Sequence, residues 1–276
     1  MRWTDSGRSR NVEDRRGMGG LGKGLGIGGT VVVLALSLLT GRNLFNDLGV
    51  QPGVGAGTPM TAEDSAAQEK EVHFVSYVLD DTEKTWTNVL AQVNEQYTPP
   101  VLVLFRNSTE SGCGYAQAAM GPFYCPVDQK LYIDLGFYDE LKSRFGAQGD
   151  FAEAYVLAHE VGHHVQHLMG TDDRVRQAQA SNPGDANALS VRMELQADCY
   201  AGVWANSTRD RSSIDASDVQ EAMTAASAVG DDRIQQQSGQ RVNVDAFTHG
   251  SAQQRAEWFS RGLQSGDVRS CDTFGS

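Results

Sequence analysis

One uncharged stretch constrains the architecture of this chain of 276 residues more than any other feature. Residues 25–39 read LGIGGTVVVLALSLL, and extension to residues 24–41 adds only small or polar side chains. A helix that crosses a bilayer needs about 17–25 predominantly apolar residues, so the stretch lies near the short limit. We therefore predict a single transmembrane anchor at residues 24–41.

Two other structures fit this stretch less well. A cleaved signal peptide ends in a small-x-small site soon after its apolar run, whereas Thr40-Gly41-Arg42 follows here. A buried helix of a soluble core would not suit the four glycines between positions 24 and 29. The anchor is the interpretation that both observations favour.

Charge differs strongly between the two sides of the stretch. Residues 1–49 carry a net charge of +3 and the rest of the chain −15, within a total of −12. Basic residues before the apolar run predict a single-pass protein of the cell membrane, with a cytoplasmic N-terminus and an extracytoplasmic body. The acidic balance also argues against a nucleic-acid partner, because such partners require a basic surface.

The same features predict the domain organisation. Residues 1–23 are expected to form a basic cytoplasmic tail, residues 24–41 the anchor, and residues 42–69 a flexible linker rich in Gly, Pro, Ala, Ser and Thr. Residues 70–276 are then left for the folded body, which is long enough for one large domain.

Four cysteines lie in the predicted external body, at positions 113, 125, 199 and 271. An even number of cysteines outside the cytoplasm predicts two disulfides. Cys113 and Cys125 flank one loop and are expected to pair, which leaves Cys199 for Cys271. Four buried free thiols are the alternative, and the Cys-x₂-Cys spacing typical of zinc sites is absent.

Hydrophobic periodicity predicts a mainly helical body with a small sheet, and therefore the α+β class. Helices are predicted at 72–97, 138–145, 151–169, 185–206, 219–228 and 252–263, and strands at 101–105 and 130–134. Asp150 is expected to cap the helix at 151–169, and Gly170 is expected to end it.

That helix carries the sequence H-E-V-G-H at residues 159–163. His159 and His163 are four residues apart and lie on one helix face, so both imidazoles can bind one Zn²⁺ ion. Glu160 points near the same ion and can act on a water molecule there. His167 lies about 12 Å along the axis from His159, and His164 is turned by about 100° from His163, so neither is expected to be a ligand.

A catalytic zinc site needs a third protein ligand and one open position. Glu194 and Asp198 are also four residues apart, in a segment whose apolar neighbours predict burial. We assign Glu194 to the metal. Asp198 is expected to accept the remaining N–H of His159 and to fix its orientation.

Three motifs in the chain resemble one known family. They are H-E-x-G-H-H-x-Q at 159–166, E-x-Q-A-D-C-x-A-G at 194–202, and T-H-G-S-A-Q-Q-R at 248–255. The chain is similar, over nearly its whole length, to the bacterial family of putative neutral zinc metallopeptidases. The resemblance implies a membrane-anchored protein with a zincin-like fold and a glutamate as the third zinc ligand.

These residues predict metal-assisted hydrolysis of a peptide bond in a peptide or protein substrate. Zn²⁺ lowers the pKa of a bound water toward about 7, and Glu160 moves its proton to the leaving amine. His249 is the candidate for stabilising the oxyanion, and Arg255 is expected to orient His249 or Asp198. Residues 132–134 are expected to be an edge strand that binds an extended peptide.

Two other functions are compatible with the same residues. A zinc hydrolase that acts on a non-peptide amide or ester would use the same ligands. A membrane-tethered binding or scaffold protein could retain a zinc site without catalysis, although such a site would not need Glu160.

Overall fold

The computed structural model describes residues 1–18, 62–211 and 213–275. The α-helices of this part are α1 (Ala62–Ala91), α2 (Gly136–Ser143), α3 (Asp150–Leu168), α4 (Thr171–Ser181), α5 (Ala186–Asp210), α6 (Ala216–Ala228), α7 (Asp231–Gln237) and α8 (Ala252–Ser265). The strands are β1 (Val12–Asp14), β2 (Val101–Phe105), β3 (Ser108–Ser111), β4 (Gly114–Gln117), β5 (Phe123–Cys125) and β6 (Lys130–Asp134). The predicted α+β class is confirmed.

Four of the strands form one sheet in the order β1-β2-β6-β5. The first three run parallel, β5 runs antiparallel to β6, and β3 and β4 form a separate hairpin. The two central strands are covered on both faces, as continuous apolar runs such as V-L-V-L-F predict. One face of the sheet joins the helical core through Leu102, Leu104, Leu131 and Ile133. The other face forms a small cluster of Val103, Phe105, Cys125 and Tyr132.

The prediction that residues 132–134 form an edge strand is wrong. They belong to β6, which lies between β2 and β5. The edge strand next to β6 is β5, a three-residue strand that is too short to show an alternating pattern. Cys125 ends this strand, and its disulfide with Cys113 ties the strand to the turn of the neighbouring hairpin.

The first eighteen residues belong to the folded body and do not form a separate tail. Val12 lies opposite Leu102 in the parallel pairing of β1 with β2. The backbone N–H of Arg15 donates to the carbonyl of Leu104 at 2.7 Å. The predicted tail at residues 1–23 is therefore wrong for residues 1–18. β1 is too short and too charged to be recognised from sequence, and it forms because the edge of β2 offers unpaired backbone groups.

The predicted anchor, residues 24–41, lies outside the described residues, as do residues 42–61 of the predicted linker. Residues 62–69 belong to α1, so the body begins earlier than the predicted residue 70. No helix in the described ranges is both long enough and apolar enough to cross a bilayer. Because β1 and β2 share one sheet, a single crossing with a cytoplasmic N-terminus would require β1 to leave that sheet.

Glycines set the distance between the helices that carry the predicted site. A Cβ atom on Gly162 of α3 would lie 3.0 Å from the Ala197 carbonyl oxygen of α5. A Cβ on Gly202 would lie 2.1 Å from the Phe259 oxygen, and one on Gly262 would lie 1.9 Å from the Cys199 oxygen. Glycine at these positions therefore lets α3, α5 and α8 approach almost backbone to backbone.

The ends of α3 agree only partly with the prediction. Asp150 is the first helical residue, and Gly149, with φ of 106°, precedes it as the N-cap. The predicted capping by Asp150 is wrong, because Glu221 of α6 accepts the N–H of Phe151 at 3.1 Å in its place. At the other end Gly170 has φ of 66° and terminates the helix, as predicted.

The predicted disulfide pairing is confirmed. Cys113 bonds to Cys125, and Cys199 bonds to Cys271. The second bond joins the C-terminal segment to α5, directly beside Asp198.

Candidate metal centre

The structure brings together the three residues predicted as ligands. His159 Nε2 lies 3.1 Å from Glu194 Oε2, and His163 Nε2 lies 3.4 Å from Glu194 Oε1. One ligand atom from each residue lies within 4.8 Å of the other two. Two imidazole nitrogens and one carboxylate oxygen form a donor set of catalytic zinc sites, so these residues fit a zinc ion.

A separate hydrogen bond orients each histidine. His159 Nδ1 lies 2.9 Å from Asp198 Oδ1, and His163 Nδ1 lies 2.9 Å from Gln166 Oε1. Donation from both Nδ1 atoms leaves both Nε2 atoms free to bind a metal. Asp198 thus has the contact predicted for it. Gln166 was missed, although its position three residues after His163 on the same helix could have indicated it.

Arg255 of α8 holds Asp198 in place. Its Nε and one terminal nitrogen donate to the two carboxylate oxygens at 2.8 and 3.0 Å, and both side chains are buried. The Tyr155 hydroxyl donates to the same carboxylate. Of the two predicted targets of Arg255, the structure shows a salt bridge with Asp198. A buried carboxylate with these partners has its charge compensated and its orientation fixed.

The pKa values of the site favour a protonated His159 imidazole beside an ionised Glu194 carboxylate. Burial disfavours the charged imidazole, but Asp198 and Glu194 outweigh it and raise the pKa of His159 to about 10. Burial also opposes the Glu194 carboxylate, yet His163 and His159 hold its pKa well below the usual range. In the metal-free site a proton shared by these groups takes the place of a metal ion, and metal binding would release that proton.

A chain of side-chain amides connects His163 to the C-terminal disulfide. Gln166 Nε2 donates to the Met193 carbonyl at 2.7 Å and to Gln196 Oε1 at 3.1 Å. Gln196 Nε2 donates in turn to the carbonyl of Cys271 at 3.0 Å. The orientation of this ligand therefore depends on the position of the C-terminal segment.

The two histidines that geometry excluded as ligands have other partners. His164 is fully buried, and its Nε2 lies 2.6 Å from the carbonyl oxygen of Thr98. Burial lowers the pKa of His164 to about 4, so this side chain is neutral in the folded protein at pH 7. His167 Nδ1 lies 2.8 Å from Asp172 Oδ2.

The ligands lie in a groove with a volume of about 700 Å³. Glu160, His249 and Arg255 line it together with the three ligands. Apolar side chains line one part of it: Met120, Phe123, Phe137 and Phe145. The groove therefore combines the predicted polar groups with an apolar surface that could accept substrate side chains.

His249 lies in the loop between α7 and α8, and its side chain is about half exposed. Its Nδ1 lies 3.2 Å from Oδ1 of Asp231, the first residue of α7. Sequence reasoning missed Asp231, because eighteen residues separate it from His249 and no spacing rule links them.

The fold and the donor set together define a class of protein: an α+β domain in which two helices bring together a histidine pair and a glutamate that fit one metal ion. A family described as putative neutral zinc metallopeptidase matches residues 1–274 of the chain. The chain belongs to this family, in agreement with the resemblance of its motifs.

Known relatives come from distant bacteria. The uncharacterized protein YpfJ of Escherichia coli K12 is 46% identical over 287 residues, which cover 100% of this chain and 99% of that protein. The uncharacterized proteins Mb2605 of Mycobacterium bovis and Rv2575 of Mycobacterium tuberculosis are each 48% identical over 189 residues, covering 64% of this chain and 63% of theirs. No solved structure matches the chain.

Proposed function

We propose that this protein is a zinc-dependent peptidase that hydrolyses peptide bonds in the groove. The observation that carries the proposal is the convergence of His159, His163 and Glu194 beside Glu160 at an open surface. A purely structural zinc site is closed by four protein ligands, whereas three ligands facing a groove leave a position for water or substrate.

Zn²⁺, when bound, supplies Lewis acidity that polarises a carbonyl group and makes water more acidic. The carboxylate of Glu160 is buried and lines the groove, where it can accept a proton from the attacking water. The same carboxylate then delivers that proton to the nitrogen of the leaving amine. Asp198, held by Arg255, keeps Nδ1–H of His159 engaged and Nε2 directed at the metal position throughout.

His249 is proposed to donate an N–H to the oxygen on which negative charge develops. Its side chain lines the groove with the ligands and is about half exposed, so it is not packed in the core. A donor placed where charge develops lowers the barrier because the favourable interaction is stronger in the transition state than in the bound substrate.

An extended peptide is the favoured substrate because a strand edge borders the groove. Phe123 and Tyr124 of β5 line it, and β5 pairs only with β6 in the described sheet. Backbone groups on the open side of β5 can therefore pair with a substrate strand, a role that we had expected of residues 132–134. A small ester or non-peptide amide would not use this edge.

The test is digestion of a peptide library by the purified, zinc-loaded chain, with mass spectrometric detection of new termini. Wild-type protein should cleave, and Glu160→Gln should lose cleavage while it retains one equivalent of zinc. Asp173→Asn is the matched control, because it also removes one carboxylate, but from an exposed side chain of α4. Hydrolysis of esters without any peptide cleavage would favour the non-peptide hydrolase, and zinc binding without hydrolysis would favour the scaffold.

Membrane attachment through residues 24–41 is a separate part of the proposal. The two disulfides suit an extracytoplasmic body. With β1 in the sheet, residues 1–18 would share that compartment. Fractionation of cells tests membrane attachment, and labelling of the exposed Lys70 with a membrane-impermeant amine reagent tests the compartment of the body. A chain found wholly in the soluble cytoplasmic fraction would contradict both.

A further inference from the structure

We propose that Asp231 is a positioning residue for His249: its carboxylate fixes the loop and the imidazole so that Nε2 is presented to the groove. The inference rests on the proposed function, because it concerns the residue to which that function assigns oxyanion stabilisation. It adds to the site a residue of α7 that lies outside the three sequence motifs.

The backbone contacts of Asp231 hold the loop at several points. Oδ2 accepts the N–H groups of Thr248, His249 and Gly250 at 2.7, 2.6 and 3.0 Å. The Asp231 N–H donates to the Gly250 carbonyl at 2.9 Å. Hydrogen bonds to an ionised acceptor are stronger than neutral ones, and Asp231 is only 9% exposed. The carboxylate thus fixes three consecutive residues of the loop.

The second carboxylate oxygen reaches the imidazole itself. Oδ1 lies 3.2 Å from His249 Nδ1, and the Thr248 hydroxyl lies 3.0 Å from the same nitrogen. Because Nδ1 has these partners, Nε2 is the ring atom left for a substrate. A carboxylate behind a histidine fixes both the ring orientation and the nitrogen that carries the proton.

The loop is also seated on the helix that presents the third metal ligand. Gly250 has φ of 93°, a conformation that favours glycine, and a Cβ there would lie 3.2 Å from Leu195 and 3.3 Å from Val191 of α5. Leu195 directly follows Glu194 in the chain. The loop that carries His249 is therefore held both by Asp231 and by α5, the helix that carries Glu194.

Three charged groups act on His249 from different elements. The hydrogen bond that His249 donates to Asp231 on α7 raises the pKa of His249, burial lowers it, and Glu194 on α5 raises it further. Arg255 on α8 opposes them. The imidazolium, with an N–H on each nitrogen, is favoured below the raised pKa and is lost as pH rises through it.

A neighbouring residue provides a matched control. Asp232 Oδ1 accepts the N–H of Ala252 at 2.7 Å and so supports the start of α8. Asp232→Asn removes one carboxylate and weakens one backbone contact in the same segment, but it does not touch His249. If Asp231 acted only on the backbone of the loop, Asp231→Asn would leave the pKa of the His249 imidazole at its wild-type value, as Asp232→Asn should.

The experiment compares full-length wild type, Asp231→Asn, Asp232→Asn, His249→Gln and the double variant Asp231→Asn/His249→Gln. Asp231→Asn should lower kcat on a cleaved peptide by about 10–100-fold with little change in KM, because a displaced donor loses most of its effect. The pH at which its kcat declines on the alkaline side should move to a lower value. Asp232→Asn should retain wild-type kcat, and the double variant should be no slower than His249→Gln alone.

A readout without zinc or substrate completes the test. Histidine NMR of the metal-free protein should show a lower pKa for His249 in Asp231→Asn than in Asp232→Asn or wild type. Equal kcat values for the two Asn variants, or an unchanged His249 pKa, would overturn the inference. Absence of cleavage by wild type would instead refute the proposed function, and the NMR comparison would still decide the role of Asp231.

Discussion

Replacement of Cys271 by Ser should weaken both the fold and the metal site. The Cys199–Cys271 bond holds the C-terminal segment on α5, and the carbonyl of Cys271 accepts the first hydrogen bond of the chain Gln196–Gln166–His163. Without the bond, the segment can leave α5. Gln196 then loses the carbonyl that orients its amide, and the Met193 carbonyl remains as the one firmly held partner of the Gln166 amide nitrogen.

The structure gives the expected size of each effect. The bond closes a separation of 72 residues. Chain entropy then predicts a stabilisation of about 4 kcal/mol, against about 3 kcal/mol for the separation of 12 residues at the other disulfide. At about 2–4 °C per kcal/mol, the Cys271→Ser protein should melt roughly 8–16 °C lower. Loss of support behind a ligand should reduce zinc affinity by about 10–100-fold.

Cys113→Ser is the matched control, because Cys113–Cys125 links residues 12 positions apart among the strands, away from the helices that carry the predicted ligands. Melting of the metal-free proteins by calorimetry and zinc affinity by competition with a fluorescent chelator give the two measurements. Both variants should melt earlier, and only Cys271→Ser should bind zinc more weakly. Equal zinc affinities in Cys271→Ser and wild type would refute the link from disulfide to ligand.

Three further predictions concern packing, metal binding and pH. Gly262→Ala places a Cβ 1.9 Å from the Cys199 carbonyl oxygen, so it should lower the free energy of unfolding by at least about 1–3 kcal/mol in chemical denaturation. Gly17→Ala is the control: the space around Gly17 is open, so the loss should be less than about 1 kcal/mol. Asp198→Asn should lower zinc affinity by about 10–100-fold in a chelator titration, and unchanged affinity would show that His159 does not need a negative charge behind it. Burial lowers the pKa of His164 to about 4 in the folded chain, whereas its ordinary value is about 6.5. Between pH values of about 4 and about 6.5, His164 is therefore protonated in the unfolded chain but not in the folded chain. Stability should therefore fall as pH decreases through this range, and His164→Gln should reduce the slope of the free energy of unfolding against pH.

The metal site could be predicted because its residues come in pairs that are four positions apart in the sequence. His159 and His163 form one helical repeat, and Glu194 and Asp198 form another. Burial of a carboxylate pair demands cationic or metal partners, which connects the two helices without knowledge of the fold. Gly162 then permits the close approach that brings the two pairs together.

Features that depend on tertiary contacts could not be predicted in the same way. β1 is a three-residue segment whose pairing is decided by the open edge of β2, which is distant in sequence. The contact of Asp231 with His249 exists because a loop folds back on the start of α7. Neither feature has a periodic pattern in the sequence, so both depend on contacts between distant segments that local charge and composition do not reveal.

The most direct test of the account is the position of zinc in a crystal of the zinc-loaded full-length protein, located by anomalous scattering at the zinc edge. The account predicts one peak bounded by Nε2 of His159, Nε2 of His163 and the carboxylate of Glu194. A second group of carboxylates, Asp150, Asp218 and Glu221, also lies within reach of one ion, although the Met1 ammonium pairs with the first two. A peak at that group, with none at the histidines, would contradict the account.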